Sequence, residues 1–138
     1  MNNDMHVREW MKDCPYVQDE FARRNGVKKL EYGIYPFRQQ PSYHENVLGE
    51  LVADELQDSI FVLTAEMQYK DGNAQRYTFY QNVIDWIEEQ NKAHHFPVLN
   101  EGNVKSVSSR VSNYVSEPNM TMERIEIQIT LTYKRNNL

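Results

Sequence analysis

Residues 124–133 read Arg124-Ile125-Glu126-Ile127-Gln128-Ile129-Thr130-Leu131-Thr132-Tyr133. Apolar and polar residues alternate without interruption. Successive side chains of a β-strand point to opposite faces, so Ile125, Ile127, Ile129, Leu131 and Tyr133 share one face and their neighbours share the other. One dry face and one wet face are the pattern of an antiparallel sheet packed on one side.

Working upstream, the same period of two recurs. Phe61, Leu63, Ala65, Met67 and Tyr69 share a face over Ser59–Tyr69. Leu30, Tyr32, Ile34 and Pro36 alternate from Lys28 onward, in a strand that Pro36 ends. Val104–Val115 is a looser strand, with Val107, Val111 and Val115 set among serines. Turns are expected at Asp71-Gly72-Asn73 and Glu117-Pro118-Asn119. Arg38–Asn46 is polar, contains Pro41 and reads as a loop long enough to be an arm or a binding loop. Val47–Ala53 has Leu48, Leu51 and Val52 at spacings open to helix or strand; strand is favoured, with Glu55–Asp58 as a hairpin turn into Ser59–Tyr69.

Between these strands the period lengthens. Val7, Trp10, Met11 and Cys14 fall at i, i+3, i+4 and i+7 after a cap at Asn3 or Asp4. Pro15 ends that helix or opens a new turn. Tyr16–Arg24 reads as a second short helix stopped by Asn25-Gly26, its acids early and its arginines late, as a helix dipole favours. Gln75–Ala93 is the main helix, with a stripe of Phe79, Tyr80, Val83, Ile84 and Ile87 and with Trp86 beside it. Pro97 closes this region and Asn100–Asn103 reads as a loop.

Strands in consecutive pairs, interrupted by helices, predict an α+β fold rather than a doubly wound one. The expected architecture is a small, mainly antiparallel (mixed) sheet with an N-terminal helix and one long central helix packed on it. A chain of 138 residues suits one domain, 1–138, with a helical segment at 1–26 and a frayed tail at 134–138. At 40% hydrophobic and 25% charged residues it can bury a core, unlike a disordered chain. No apolar run approaches the ~18 residues that span a bilayer. Met1-Asn2-Asn3-Asp4 lacks the basic-then-apolar opening of a secretory signal, so a cytoplasmic starting compartment is expected.

Fifteen cations against twenty carboxylates give a net charge of -5, which argues against gripping a nucleic acid. The densest basic groups, Arg23-Arg24 with Lys28-Lys29 and Lys134-Arg135, are not interleaved with aromatics for base stacking. Cys14 stands alone, so neither a disulfide nor a cysteine zinc cage forms within the chain, and burial as a small apolar residue is expected. His94-His95 reads as capping at a helix end rather than a chelate, since neighbours do not share a helix face. Asp85 and Glu88-Glu89 read as the solvated side of the main helix, and Asp54, Glu55 and Asp58 lack the ligand spacing of a calcium loop. No glycine-rich phosphate loop or nucleophile elbow is present. No catalytic residue, cofactor or metal is therefore expected. Tyr35, Phe37, Tyr43, Tyr114 and Tyr133 fall near strand ends or loops, where tyrosine serves protein interfaces.

The string Asp85-Trp86-Ile87-Glu88-Glu89-Gln90, then Phe96-Pro97-Val98-Leu99, the serine-rich strand Ser106–Tyr114 and the final strand Arg124–Tyr133 form a connected set. With the opening helix and the Ile34-x-Pro36 segment, the chain resembles the small minor capsid or tail-terminator (tail completion) proteins of siphophages and prophages of Gram-positive bacteria. The likeness runs over nearly the whole chain and departs most over residues 38–58. It implies an α+β domain that assembles as a homo-oligomeric ring, typically a hexamer, although single copies can stay monomeric until they meet the tube. Such a ring ends tail-tube polymerisation and offers a surface to head-completion proteins, with DNA passing through unbound. It implies residence in the virion tail after assembly in the host cytoplasm, and no membrane partner. It carries no catalytic residues. Two long polar loops then become the expected ring or tube contacts, through Arg38, Gln39, Tyr43, His44, Glu101 and Asn103. Two other readings stay open on the residues alone: a small ligand-binding or enzymatic curved-sheet domain, and an adaptor for one protein partner.

Overall fold

A computed structural model describes residues 2–37, 41–69, 79–116 and 122–136. Helix α1 (Asn3–Met11) is followed by a single 3-10 turn (Pro15–Val17) and helix α2 (Asp19–Arg24). Strand β1 (Val27–Phe37), two short strands β2 (Tyr43–Glu45) and β3 (Leu51–Ala53), and the long strand β4 (Leu56–Tyr69) come next. Helix α3 (Phe79–Lys92) and strands β5 (Gly102–Ser116) and β6 (Met122–Arg135) complete the chain. The expected turns at Asp71-Gly72-Asn73 and Glu117-Pro118-Asn119, and residues 75–78 of the main helix, lie outside the described residues.

The fold is α+β. The main sheet runs β1-β4-β6-β5, and β2 pairs with β3 in a separate ribbon. Every described ladder is antiparallel, so the sheet is not mixed. In register, Ile34 sits opposite Leu63, Leu63 opposite Ile127, and Ile127 opposite Val111. That row belongs to the inner face. Phe61, Leu63, Ala65 and Met67 of β4 and Ile125, Ile127, Ile129 and Leu131 of β6 are all buried, while their alternate neighbours are half-exposed or open. The alternation in 124–133 thus becomes one dry and one wet sheet face.

The helices close the dry face. Val7, Trp10 and Met11 of α1 and Phe79, Val83, Trp86 and Ile87 of α3 are buried there. Trp86 lies inside this core rather than beside the stripe, and Tyr80 sits at its rim, its ring edge-on to Tyr114 at 5.9 Å. Cys14 is fully buried just past α1, and burial raises its thiol to about 11. Pro15 opens the 3-10 turn at its first position, where its missing N–H costs nothing. The main helix ends at Lys92, followed by a Schellman turn: His94 N–H donates to Asn91 O at 3.2 Å and His95 N–H to Gln90 O at 2.9 Å. His94 takes the left-handed conformation, φ 55°, that this motif requires.

The sheet edges differ. Arg8 Nη2 donates to Ile34 O at 3.0 Å, so Ile34 turns its main-chain groups outward. Pro36 shares that orientation and has no N–H to offer, which blunts the β1 edge. On the other edge, Asn91 Oδ1 accepts from Val107 N–H at 3.0 Å, and β5 shifts register at Val104/Ser106 and Val111/Asn113.

Three expectations about ends and turns are corrected. Glu55–Asp58 is not a hairpin turn, because β4 already starts at Leu56, opposite Lys134 of β6. The tail is not frayed from 134: β6 runs to Arg135, whose N–H donates to Glu55 O at 3.0 Å, and Asn136 N–H reaches Glu101 O at 3.0 Å. The Asn100–Asn103 loop is shorter than expected, since Gly102 already belongs to β5. Its approach to β6 is close enough that a Cβ at Gly102 would lie 2.0 Å from Lys134 O.

Candidate functional site

The described part of the loop, with the strand expected after it, forms an arm. Tyr43 pairs with Ala53, His44 with Val52 and Glu45 with Leu51, forming a hairpin of its own rather than adding to the main sheet. The sequence explains the turn. Asn46 Oδ1 accepts from Leu48 N–H at 2.9 Å and Glu50 N–H at 3.0 Å, while Asn46 N–H donates to Glu50 O at 2.9 Å. Gly49, φ 81°, supplies the left-handed residue that returns the chain.

An isolated two-stranded ribbon is marginal in water, so this one needs anchoring. Gln57, the buried polar residue at the start of β4, provides it. Its Oε1 accepts from Ser42 N–H at 2.7 Å, and its Nε2 donates to Ser42 O and Asp54 O, both at 2.8 Å. Asp54 closes the root. Its carboxylate accepts from the Ser42 hydroxyl and meets His44 Nδ1 at 2.6 Å, and its N–H donates to Ser42 O at 2.9 Å. The Ser42 bond and then the His44 contact hold the Asp54 carboxyl below its ordinary 3.8.

Ser42, His44 and Asp54 are the residue types of an acyl-transfer triad, but their order is wrong for it. In a triad the imidazole stands between hydroxyl and carboxylate and takes the serine proton. Here the carboxylate stands in the centre and holds both partners, so the group is a clasp.

What the clasp holds out is apolar. Val47 is 102% exposed, Leu48 77% and Leu51 78%, and Tyr43 and Leu56 are more than half exposed. Single exposed apolar residues are ordinary on a protein surface. Here several of them follow one another on a hydrogen-bonded projection.

Of the expected contact residues, Arg38 and Gln39 lie outside the described residues. Tyr43 and His44 are both on β2, on opposite faces of the ribbon. Tyr43 and Glu101 line one groove of about 360 Å³ at the arm root, with Phe37, Ile60 and Tyr133. The Glu101 carboxylate is already engaged, accepting from Asn3 Nδ2 at 2.8 and 2.7 Å. Asn103 lies in the β5–β6 ladder opposite Lys134, away from the arm. Sequence reasoning missed Ser42 and Gln57, read Asp54 only as part of an acidic turn cluster, and placed Val47, Leu48 and Leu51 in a strand leading by a hairpin into Ser59–Tyr69. The Asn46-x-x-Gly49 spacing was the signal for a turn there.

Among the described residues, no group of three His, Cys, Asp or Glu side chains is placed to hold a metal ion, and no helix is long and apolar enough to cross a membrane. No family model matches the sequence, and no curated protein matches it.

Proposed function

We propose that this chain is a structural assembly protein of the tail-terminator kind. Its copies join into a ring that ends polymerisation of a phage or prophage tail tube and joins tail to head, with DNA passing through the lumen. One observation carries the reading: a hydrogen-bonded arm that displays Val47, Leu48 and Leu51 to solvent. Such a surface costs solubility unless a partner protein covers it. A ring needs contacts that join unlike surfaces of successive copies, and a projecting arm supplies one of them. The negative net charge suits a channel that must pass DNA without holding it.

The test is assembly. Wild-type protein, alone over a range of concentrations and mixed with assembled tail tubes, is followed by native mass spectrometry and electron microscopy. Closed rings or capped tube ends are expected. A Val47→Asp/Leu48→Asp variant, folded by circular dichroism, is expected to form neither. Wild-type protein that stays monomeric and leaves tube ends bare would overturn the reading.

A further inference from the structure

We infer that the arm of one copy docks in the groove between α2 and β1 of the next copy, a head-to-tail contact. The inference rests on the assembly reading above and names its acceptor. The arm leaves the sheet after Phe37, and the groove lies at the opposite end of β1. The groove takes up residues 27–31, so its near edge lies six residues of strand, roughly 20 Å, from Phe37, and the arm leaves from the other end of the strand.

The two surfaces complement each other in charge. Glu45 and Glu50 flank the arm tip and make no ion pair among the described residues. The groove, about 390 Å³, has Leu30 over the buried Ala22 and Val27, and its rim carries Arg23, Lys28 and Lys29 beside two carboxylates, Asp19 and Glu31. Lys29 is taken by Glu31 at 3.0 Å, and the neighbouring Arg24 by Glu20. Arg23 and Lys28 make no ion pair among the described residues. Asp19 also makes no ion pair among the described residues, so the groove keeps two uncommitted cations against one carboxylate, and this excess positive charge suits the two uncommitted carboxylates around the apolar tip. Joining unlike surfaces makes the contact heterologous, and such contacts close into rings when the rotation between copies permits. Complementary charge of this kind sets partner choice and orientation.

Charge reversal tests it. Variant one carries Glu45→Lys and Glu50→Lys; variant two carries Arg23→Glu and Lys28→Glu. All four positions are exposed, and circular dichroism with thermal melting checks that both variants fold. Each variant alone presents like charges at both surfaces, so its self-association is expected to fall at least tenfold by sedimentation velocity. A one-to-one mixture is expected to regain assembly with the two variants alternating, and so is a single chain carrying all four changes. Added salt weakens the wild-type contact. Wild-type association untouched by either reversal would overturn the docking while leaving assembly standing, and so would a loss in both variants that mixing does not restore. A wild type that never self-associates, free or on tubes, would overturn both.

Discussion

The indole rings of Trp10 and Trp86 meet with centroids 4.9 Å apart and planes tilted by 50°. This contact joins α1 to α3 above the sheet, and both side chains are buried. Trp10 Nε1 also donates to His95 O at 2.9 Å, so the first helix is tied to the turn that ends the third. Sequence positions 85 residues apart thereby fix the roof over the dry face.

Trp10→Phe keeps an aromatic ring but removes the donor and leaves His95 O without this partner. A loss of about 1–2 kcal/mol is expected by urea unfolding. A double-mutant cycle with Trp86→Phe should show coupling of about 0.5–1.5 kcal/mol, the usual range for an aromatic pair. Additive single losses would show that the rings merely share a neighbourhood.

His94 occupies the left-handed position of the Schellman turn, φ 55°, where a side chain is strained and glycine is not. His94→Gly is expected to raise stability by about 0.5–1 kcal/mol, after the ring contact with Phe96 is given up. A thermal melt reads the change directly. A lower melting temperature would mean that the ring contact outweighs the backbone strain.

The histidine pair illustrates what could be read in advance. Capping was legible because a helix pattern ended there; the particular backbone shape was not, since glycine is its usual residue. Ile125 to Tyr133 and Phe61 to Tyr69 announced their strands through unbroken alternation, and Val7 to Cys14 its helix face. An arm was open to the reading of Arg38–Asn46, but its apolar tip was not legible, for a physical reason. Val47, Leu48 and Leu51 look like core residues, and a periodicity argument assumes that apolar side chains are buried. Gln57 escaped for the converse reason: a polar residue reads as surface, and only its three hydrogen bonds reveal why burial is tolerated. The tail read as frayed because Asn136 is polar, yet its N–H and Nδ2 both find carbonyls in the 99–102 turn.

Gly102 and Gly33 should respond differently to alanine. At Gly102 the added methyl meets the backbone of Lys134, which is held in the sheet, so Gly102→Ala should cost about 2 kcal/mol or more by displacing the start of β5. At Gly33 the nearest atoms belong to the Tyr35 ring, 2.8–3.0 Å from the Cβ position, and that ring is half-exposed and free to rotate away. Gly33→Ala should therefore cost less than about 1 kcal/mol and show as a shift in Tyr35 ring resonances. Equal losses at the two sites would contradict the distinction between backbone and side-chain obstruction.

Ser109 lies on the inner face of β5 opposite Ile129, and its Oγ is buried without a hydrogen-bond partner among the described residues. Removing an unsatisfied hydroxyl removes its desolvation cost and leaves only a small void. Ser109→Ala should be neutral or stabilising by up to about 1 kcal/mol in chemical denaturation. A clear destabilisation would reveal a partner for the hydroxyl.

The clasp at the arm root sets the last expectation. Gln57→Leu keeps roughly the same volume but removes all three bonds to Ser42 and Asp54. Hydrogen exchange of residues 42–53 should accelerate at least tenfold while the centres of β4 and β6 stay protected, because the arm opens locally without unfolding the sheet. Acid should act on the same element. The Asp54 carboxyl titrates below its ordinary 3.8 because its charged form is held by Ser42 first and His44 second. A depressed carboxylate contributes its stabilisation fully above the unfolded value and loses it as pH falls through the folded one. Arm protection should therefore be flat from neutral pH to about 4 and collapse only below that, with Asp54→Asn giving weak protection throughout. Loss of protection already at pH 6 would place the controlling group elsewhere. If the arm must be rigid to dock, the Gln57→Leu protein should also assemble poorly at neutral pH while its core unfolds at nearly the wild-type midpoint. A variant with a mobile arm and full assembly would show that the arm orders on contact, not before it.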